Sequence, residues 1–140
     1  MLILDPLTFE LAGPFLEWAP VVLVSENALT EVLRWGIKID VVLVTPDCEE
    51  AVTNMVSEQV PVKIIRMEQG DSPARRAFTY LISIEQECVN VLSSTPESVF
   101  PLAETTMKQL HVSIVDNGTI WSGISAGHFE KWVTAKSPFS

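Results

Sequence analysis

Four carboxylate residues recur at a constant spacing in the first half of the chain. They are 21 residues apart each time, and each stands at or just after the end of an apolar run: Asp5, Glu26, Asp47 and Glu68. If those runs are parallel strands, their carboxyl ends meet at one edge of a sheet, with Asp71 close by. Carboxylates gathered in a cleft bind Mg²⁺, which prefers oxygen ligands and is often shared with substrate phosphates. The spacing therefore predicts an acidic functional edge, which could equally hold a cationic ligand.

The same carboxylates have a second interpretation that involves no ligand. Strand ends and helix starts favour Asp and Glu, because these side chains cap free N–H groups and match the helix dipole. Capping or solvation would account for each acid taken singly. It does not require the acids to share a crevice, so both interpretations of the group stay open.

Two adjacent arginines, Arg75 and Arg76, fall in the first turn of a helix that is predicted to begin at Pro73. Ser72 followed by proline is a strong helix start, since serine caps and proline suits the first helical position. Arginine there opposes the helix dipole, and together with free backbone N–H groups it would form an anion site. The alternative is a pair of solvent-facing charges, with Asp71 as an ionic partner.

The 21-residue spacing is the length of one strand–helix unit. Apolar runs at residues 21–24 and 41–44 flank an amphipathic segment that ends at Gly36. Strands joined in this way normally lie parallel, with a right-handed crossover. Further strands are predicted at residues 2–4, 60–67, 88–92 and 110–115, and Asp116-Asn117-Gly118 predicts a hairpin turn into a strand at residues 119–124. The predicted fold is α/β, with three α/β/α layers around a mostly parallel, Rossmann-like sheet that ends in an antiparallel hairpin.

Helices are predicted between these strands. The first of these helices is expected to be capped by Ser25 or Asn27 and to end at Gly36. The others are expected to run from Asp47 to about residue 58, from Pro73 to about residue 86, and from Pro96 to about residue 109. Gly13-Pro14 would interrupt a helix at residues 8–18, which could instead form two short turns.

Composition narrows the function classes. The 140-residue chain suits one domain, and 18 acidic residues against 9 basic ones give a net charge of −9. Such a chain repels phosphate backbones, so we expect no nucleic-acid partner. The apolar runs are too short to cross a bilayer and no signal peptide is evident, so we expect a cytoplasmic protein with no membrane partner. Cys48 and Cys88 lack metal-ligand spacing and are expected to be reduced packing residues.

Residues 25–48 resemble the catalytic domain of the thiamin pyrophosphokinase family. That family reads ADGGAN, a leucine-rich helix, GIKPD and then GDFDS; this chain reads SENALT, a leucine-containing helix, GIKID and VTPDC. The family's DQ-x-x-TD and its K-A-hydrophobic-x-Y-L helix are similar to residues 68–73 and 76–81, EQGDSP and RAFTYL. The resemblance covers most of residues 1–124.

The resemblance implies an activity and a set of site residues. The family's enzymes transfer a pyrophosphoryl group from ATP to the hydroxyl of thiamin, with Mg²⁺ held by aspartates at these turns. Thiamin or a related small molecule would be the partner, and ATP and Mg²⁺ the cofactors if the protein is active. Asp47 and Glu26 would be the catalytic residues. The nucleotide would be bound by Gln69, Arg75 and Arg76. The metal ligands would be Asp47, Glu26, Glu68 and Asp71.

This sequence departs from the family at several of those positions. Thr45 stands at the first aspartate of GDFDS, glutamates replace aspartates at Glu26 and Glu68, and serine and proline replace the TD pair. The family's G-x-R-x-DH segment has no counterpart in the SSTPE of residues 93–97. These departures predict reduced or lost pyrophosphokinase activity, as in a pseudoenzyme.

The predicted organisation is a thiamin pyrophosphokinase-like α/β domain at residues 1–124 and a tail at residues 125–140. The tail could be a remnant of the family's C-terminal β-domain, which contributes to the thiamin site and to dimerisation. The resemblance thus implies a homodimer. Two alternatives remain: a non-catalytic module that binds a nucleotide or thiamin, and a structural protein that dimerises through its hairpin and aromatic tail.

Overall fold

The computed structural model describes residues 1–6, 8–16, 21–59, 61–68, 70–106, 109–116, 119–125 and 129–136. Its helices are α1 (Phe9–Leu16), α2 (Leu29–Arg34), α3 (Glu49–Met55), α4 (Pro73–Ser83) and α5 (Pro96–Glu104). Its strands are β1 (Leu2–Ile3), β2 (Leu23–Ser25), β3 (Val41–Val44), β4 (Lys63–Arg66), β5 (Cys88–Leu92), β6 (His111–Asp116), β7 (Thr119–Ser125) and β8 (Phe129–Lys136).

The strands form one sheet in the order β4-β3-β2-β1-β5-β6-β7-β8. All pairings from β4 to β6 are parallel, and β6, β7 and β8 pair antiparallel. The chain builds outward from β1 to β4 and then returns to place β5 on the other side of β1. The order therefore reverses between β1 and β5, and the α/β fold class predicted from the sequence is confirmed.

The sheet carries a hydrophobic core on each face. Neighbouring residues of β1 point to opposite faces: Leu2 belongs to a cluster with Phe78 of α4 and Val99 of α5, and Ile3 to one with Val32 of α2. The second cluster also takes residues from α1 and α3. Three helices thus cover one face and two cover the other, which gives three layers. Strands buried on both faces explain the continuous apolar runs in the sequence.

The GIKID segment is a structural junction between α2 and β3. Gly36 adopts a positive φ of 70° just after α2, a conformation that glycine tolerates best. The ammonium of Lys38 donates to the carbonyls of Ile39, Gln59 and Pro61 at 2.8, 2.7 and 2.9 Å. The segment thereby ties the start of β3 to the loop that precedes β4.

Asp40 completes this junction on the other side. The N–H of Val22 donates to its Oδ2 at 2.8 Å, and the N–H groups of Asp40 and Val41 donate to the carbonyl of Val22 at 3.0 and 3.1 Å. The motif that carries much of the family resemblance therefore fixes the positions of β2 and β3, which end at the candidate site.

The helices are shorter than the sequence predicted. α4 ends at Ser83 because Glu85 takes a positive φ of 61°, and the N–H groups of Glu85 and Gln86 donate back to Ile82 and Leu81, as in a Schellman cap. α5 ends at Glu104, where the hydroxyls of Thr105 and Thr106 donate to carbonyls three residues earlier. α3 gives way to a 3-10 helix at Ser57–Gln59.

The predicted side-chain caps are absent. Ala28 and Cys48 occupy the N-cap positions of α2 and α3, so the predicted caps at Ser25 or Asn27 and at Asp47 are wrong. Ser72 does occupy the N-cap position of α4, but its side chain makes no capping bond. Residues 9–16 form one helix with Pro14 inside it, so the alternative of two short turns is also wrong.

The described part of residues 125–140 includes a strand that the sequence did not predict. β8 pairs with β7 along most of its length, from Ser125–Phe129 to Thr119–Lys136. The hairpin turn predicted at Asn117-Gly118 lies outside the described residues, although the two strands that it would join are both present. The division into two parts at residue 124 stays a prediction.

None of the helices in the described part of the chain is long and apolar enough to span a membrane.

Candidate functional site

A cavity of about 410 Å³ opens where the strand order reverses. Residues after β1 to β5 line it, together with the first turns of α4 and α5. Crevices at the carboxyl ends of strands around such a reversal are the usual ligand sites of open α/β sheets. The volume lies within the range of small-molecule pockets. Its lining includes three carboxylates: Asp5, Glu26 and Asp71.

Glu26 faces Thr45 across the ends of β2 and β3. The N–H of Thr45 donates to Glu26 Oε2 at 3.0 Å, and the threonine hydroxyl lies 3.2 Å from both carboxylate oxygens. Thr45 is the residue that stands at the first aspartate of the family motif. A hydroxyl and an N–H group therefore satisfy Glu26, where a second carboxylate would have repelled it.

Asp5 links the ends of β1 and β5 across the point of reversal. Its Oδ2 accepts a hydrogen bond from the N–H of Ser94 at 2.9 Å and lies 3.3 Å from the hydroxyl oxygen of Ser93. The N–H of Thr95 in turn donates to the Ser93 hydroxyl at 3.1 Å. This chain of bonds sets the entry into α5, so Asp5 has a structural partner as the capping interpretation requires.

Two buried serines complete the floor, and sequence reasoning gave them little or no weight. Ser25 and Ser93 are only 2% and 1% exposed. The Ser25 hydroxyl donates to the carbonyl of Leu4 at 2.7 Å and also bonds to the side-chain oxygen of Asn27. A hydroxyl residue directly after a mostly apolar run could have signalled both positions, because a buried strand has little other reason to end in serine.

Asp71 reaches the cavity from the loop before α4. Its Oδ2 accepts a hydrogen bond from the N–H of Glu68 at 2.9 Å and lies 3.9 Å from Nε of Arg76. The ion pair between Asp71 and Arg76, expected as the alternative to an anion site, is therefore present. Arg75 is exposed and lines neither this cavity nor the others described.

The remaining predicted site residues either lie away from the cavity or fall outside the described residues. Asp47 and Glu68 are exposed and are not part of its lining, and Gln69 lies outside the described residues. Of the four evenly spaced carboxylates, the structure brings Asp5 and Glu26 together, with Asp71 as the third acid. The catalytic, metal-binding and cofactor-binding roles of these residues stay predictions.

The arrangement fits Mg²⁺ and ATP poorly. Within the described residues, no three His, Cys, Asp or Glu side chains stand close enough to share a metal ion. Each cavity carboxylate already accepts hydrogen bonds from the chain. The described lining contains no Lys, Arg or His to receive phosphates.

No protein-family model matches this sequence, and no curated protein does. Solved structures do match the fold. The thiamin pyrophosphokinase of Geobacillus thermodenitrificans is similar with a TM-score of 0.66 and 13% identity, over 86% of this chain and 61% of that protein. The thiamine pyrophosphokinase of Bacillus subtilis is similar with a TM-score of 0.66 and 8% identity, over 88% of this chain and 63% of that protein. A protein from Lactobacillus plantarum is similar with a TM-score of 0.61 and 10% identity, over 88% of this chain and 62% of that protein.

The chain therefore has the fold of the thiamin pyrophosphokinases. At 8% to 13% identity the likeness concerns the fold alone. The chain spans 61% to 63% of the length of these three structures.

Proposed function

We propose that this protein is a thiamin pyrophosphokinase-like binding module, which holds a small cationic ligand in the cavity between β1 and β5 and has little or no pyrophosphokinase activity. Thiamin, or a related cation with an aromatic ring, is the ligand class. The observation that carries the proposal is the bond between Glu26 and Thr45: Glu26, one of the predicted metal ligands, is satisfied by the chain itself.

The loss of turnover follows from what phosphoryl transfer requires. Such reactions depend on positioning and on charge held by metal ions, with little covalent chemistry supplied by the protein. Three carboxylates that each accept hydrogen bonds from the chain, and no cluster suited to a metal in the described part of the chain, supply little of that charge. If turnover is found, Mg²⁺ and ATP would be the cofactors and Asp47 the residue to test first.

The preference for a cation follows from the charge of the lining. Asp5, Glu26 and Asp71 line the cavity, and its described lining contains no basic residue. A chain with a net charge of −9 adds to the negative potential there. A polyanion such as ATP would be repelled, whereas a thiazolium-type cation would be attracted. Leu4, Met67 and Val99 supply the apolar part of the lining, against which an aromatic ring can pack.

Calorimetry on the whole chain tests the proposal. Thiamin should bind without ATP or Mg²⁺, and Glu26→Gln should weaken that binding by about tenfold, as expected for the loss of one charge at a partly buried site. Glu50→Gln is the matched control, because Glu50 is exposed and lies outside this cavity. Equal affinity in the two variants would contradict the assignment of the site.

An activity assay tests the proposed lack of pyrophosphokinase activity. The chain is incubated with ATP, Mg²⁺ and thiamin, and AMP and thiamin diphosphate are measured. We expect no AMP formation that depends on thiamin. AMP formation that requires thiamin and is abolished by Asp47→Asn would establish an active pyrophosphokinase and would overturn the proposal.

We also propose that the protein is a homodimer. The observation that favours this assembly is the position of β8, which is last in the strand order and, among the described residues, pairs only with β7. A long edge strand offers unpaired N–H and C=O groups to a second copy. Sedimentation over a range of concentrations checks it, and a monomer throughout would contradict it.

A further inference from the structure

A second cavity, of about 210 Å³, lies between β4 and α4. Strand β4 is first in the sheet order, so this cavity is at the edge of the sheet, and it shares no lining residue with the cavity at the strand reversal. Its lining consists of Lys63, Ile65, Arg76, Thr79, Tyr80 and Ser83. No acidic residue is among them, although the chain has twice as many acids as bases.

Lys63 brings an ammonium group to this cavity without an ionic partner. None of the ion pairs in the described part of the chain involves it. Its Nζ lies 5.2 Å from the centre of the Tyr80 ring, a cation–π contact. Such a contact at an exposed site is weaker than a charge-assisted hydrogen bond to an anion, so the ammonium remains available to a ligand.

Arg76 brings a second cation whose hydrogen-bonding capacity is not met. Its Nε is buried and has no hydrogen-bond acceptor in the described part of the chain. The closest carboxylate oxygen, Oδ2 of Asp71, is 3.9 Å away, which is beyond hydrogen-bonding distance. A guanidinium presents five donors in a fork that matches oxyanions, and the Arg76 side chain is 40% exposed, so a ligand can reach it.

We propose that this cavity binds a phosphate group, either as the free ion or as the head of a small phosphate monoester. Lys63 and Arg76 would share its charge, and the Tyr80 hydroxyl would add a neutral donor. Thr79 and Ser83 line the cavity, but their hydroxyls already donate to the carbonyls of Arg75 and Tyr80 at 3.0 and 2.6 Å. The cavity is smaller than typical pockets for whole cofactors, which favours a phosphate head over a complete nucleotide.

This site does not rest on the function proposed for the larger cavity. Arg76 contacts Asp71, which lines that cavity, so a change at Arg76 alters both places. Lys63 lines the edge cavity and is not part of the described lining of the larger one. Lys63→Gln is therefore the variant that reports on the edge cavity alone.

The single tyrosine of the chain provides a local probe, because Tyr80 is the only residue of its type. Fluorotyrosine-labelled protein gives one fluorine resonance, which is followed by NMR during titration with inorganic phosphate and, separately, with glycerol phosphate at constant ionic strength. We expect a saturable shift. Lys63→Gln and Arg76→Gln should each weaken binding by about tenfold or more, since each removes a charged partner. Arg34→Gln, which removes an exposed arginine distant in sequence from this cavity, should bind as the unaltered chain does.

Tighter binding of glycerol phosphate than of inorganic phosphate would identify a monoester as the ligand, and equal or weaker binding would identify the free ion. A shift that does not saturate, or affinities that agree within twofold among all variants, would overturn the proposal. Thiamin binding is also measured on Lys63→Gln. Because Lys63 does not line the larger cavity, this variant should bind thiamin as the unaltered chain does, so failure of one proposed site is distinguished from failure of the other.

Discussion

The carboxylate of Glu26 and the residue Thr45 form a hydrogen-bonded pair across the ends of two adjacent parallel strands. The N–H of Thr45 donates at 3.0 Å, and its hydroxyl stands 3.2 Å from both carboxylate oxygens. The pair lies in the crevice that the strand order predicts for ligands. The choice of threonine at position 45 thus leaves Glu26 satisfied by the chain itself, whereas a carboxylate there would repel it.

Thr45→Asp should replace the hydrogen-bonded contact with Glu26 by a repulsion between two carboxylates. A second carboxylate beside Glu26 replaces a donor with a like charge, and we expect the free energy of unfolding to fall by about 1 to 3 kcal/mol. Mg²⁺ should recover part of this loss, because two adjacent carboxylates can share a hard cation. Urea unfolding with and without Mg²⁺ measures both effects.

Thr53→Asp is the matched control for this variant, because Thr53 is an exposed residue of α3 at the surface near Glu49 and Glu50. Its stability should respond weakly to Mg²⁺. If Mg²⁺ stabilises both variants equally, or neither, the geometry inferred for Glu26 and Thr45 is incorrect.

Lys38→Met should destabilise the fold although Lys38 is exposed at the surface. The substitution keeps an apolar stem of similar length but removes the three hydrogen bonds from the ammonium to the carbonyls of Ile39, Gln59 and Pro61. Water replaces part of what is lost, so we expect a fall of about 2 kcal/mol in the free energy of unfolding. Arg34→Met, which breaks an exposed ion pair with Glu31 at 3.5 Å, should cost less than about 1 kcal/mol. Equal losses in the two variants would contradict a special role for Lys38.

Gly36→Ala isolates the cost of a backbone conformation. Gly36 has a φ of 70°, and a Cβ atom added there would meet nothing within 4 Å. Any loss of stability therefore comes from the left-handed conformation and should be about 1 to 2 kcal/mol. Gly36→Asn should recover part of it, because asparagine tolerates this region better. Thermal unfolding of both variants measures the difference, and a neutral Gly36→Ala would be inconsistent with the observed turn.

The sequence predicted the fold well because its signals are local. The run that became β3 is apolar from end to end, and a strand buried on both faces needs that composition. The hairpin strands were also located correctly. The predicted limits of the helices were less accurate. The cap after α4, for example, depends on a positive φ at Glu85, a conformation that a glutamate in the sequence does not indicate. β8 was missed although it pairs with the strand just before it, because residues 129–136 form no continuous apolar run and no Asn-Gly or Asp-Gly turn signal directly precedes them.

The site was predictable only in part. The equal spacing of Asp5 and Glu26 located the correct edge of the sheet, since it reflects the length of one strand–helix unit. The same spacing could not tell which side chains turn inward: Asp47 and Glu68 are exposed, whereas Asp71 lines the cavity. Side-chain direction after a strand depends on the first residues of the following turn, and neither composition nor period encodes that direction. The cationic cavity at Lys63 and Arg76 joins residues from a strand and a helix whose packing the sequence did not specify.

The terminal amino group of the 140-residue chain is largely buried. Met1 is 4% exposed, and its ammonium donates to the carbonyl of Val21 at 2.7 Å. Burial lowers the pKa of this amine from 8.0 to about 6, against smaller opposing effects of Cys88 and Asp40. In the unfolded chain the amine is exposed to water and keeps its ordinary pKa.

Between pH 6 and pH 8 the unfolded chain therefore binds more protons at this amine than the folded chain does. The free energy of unfolding should rise with pH across that window, by about 2 to 3 kcal/mol from this group, and the gain is lost as the pH falls back to 6. Urea unfolding at several pH values measures the slope, with His111→Gln as the background that lacks the one histidine in the described residues. Extension of the chain by one N-terminal glycine moves the charge off the buried atom and should flatten the slope; an unchanged slope would contradict the assignment to Met1.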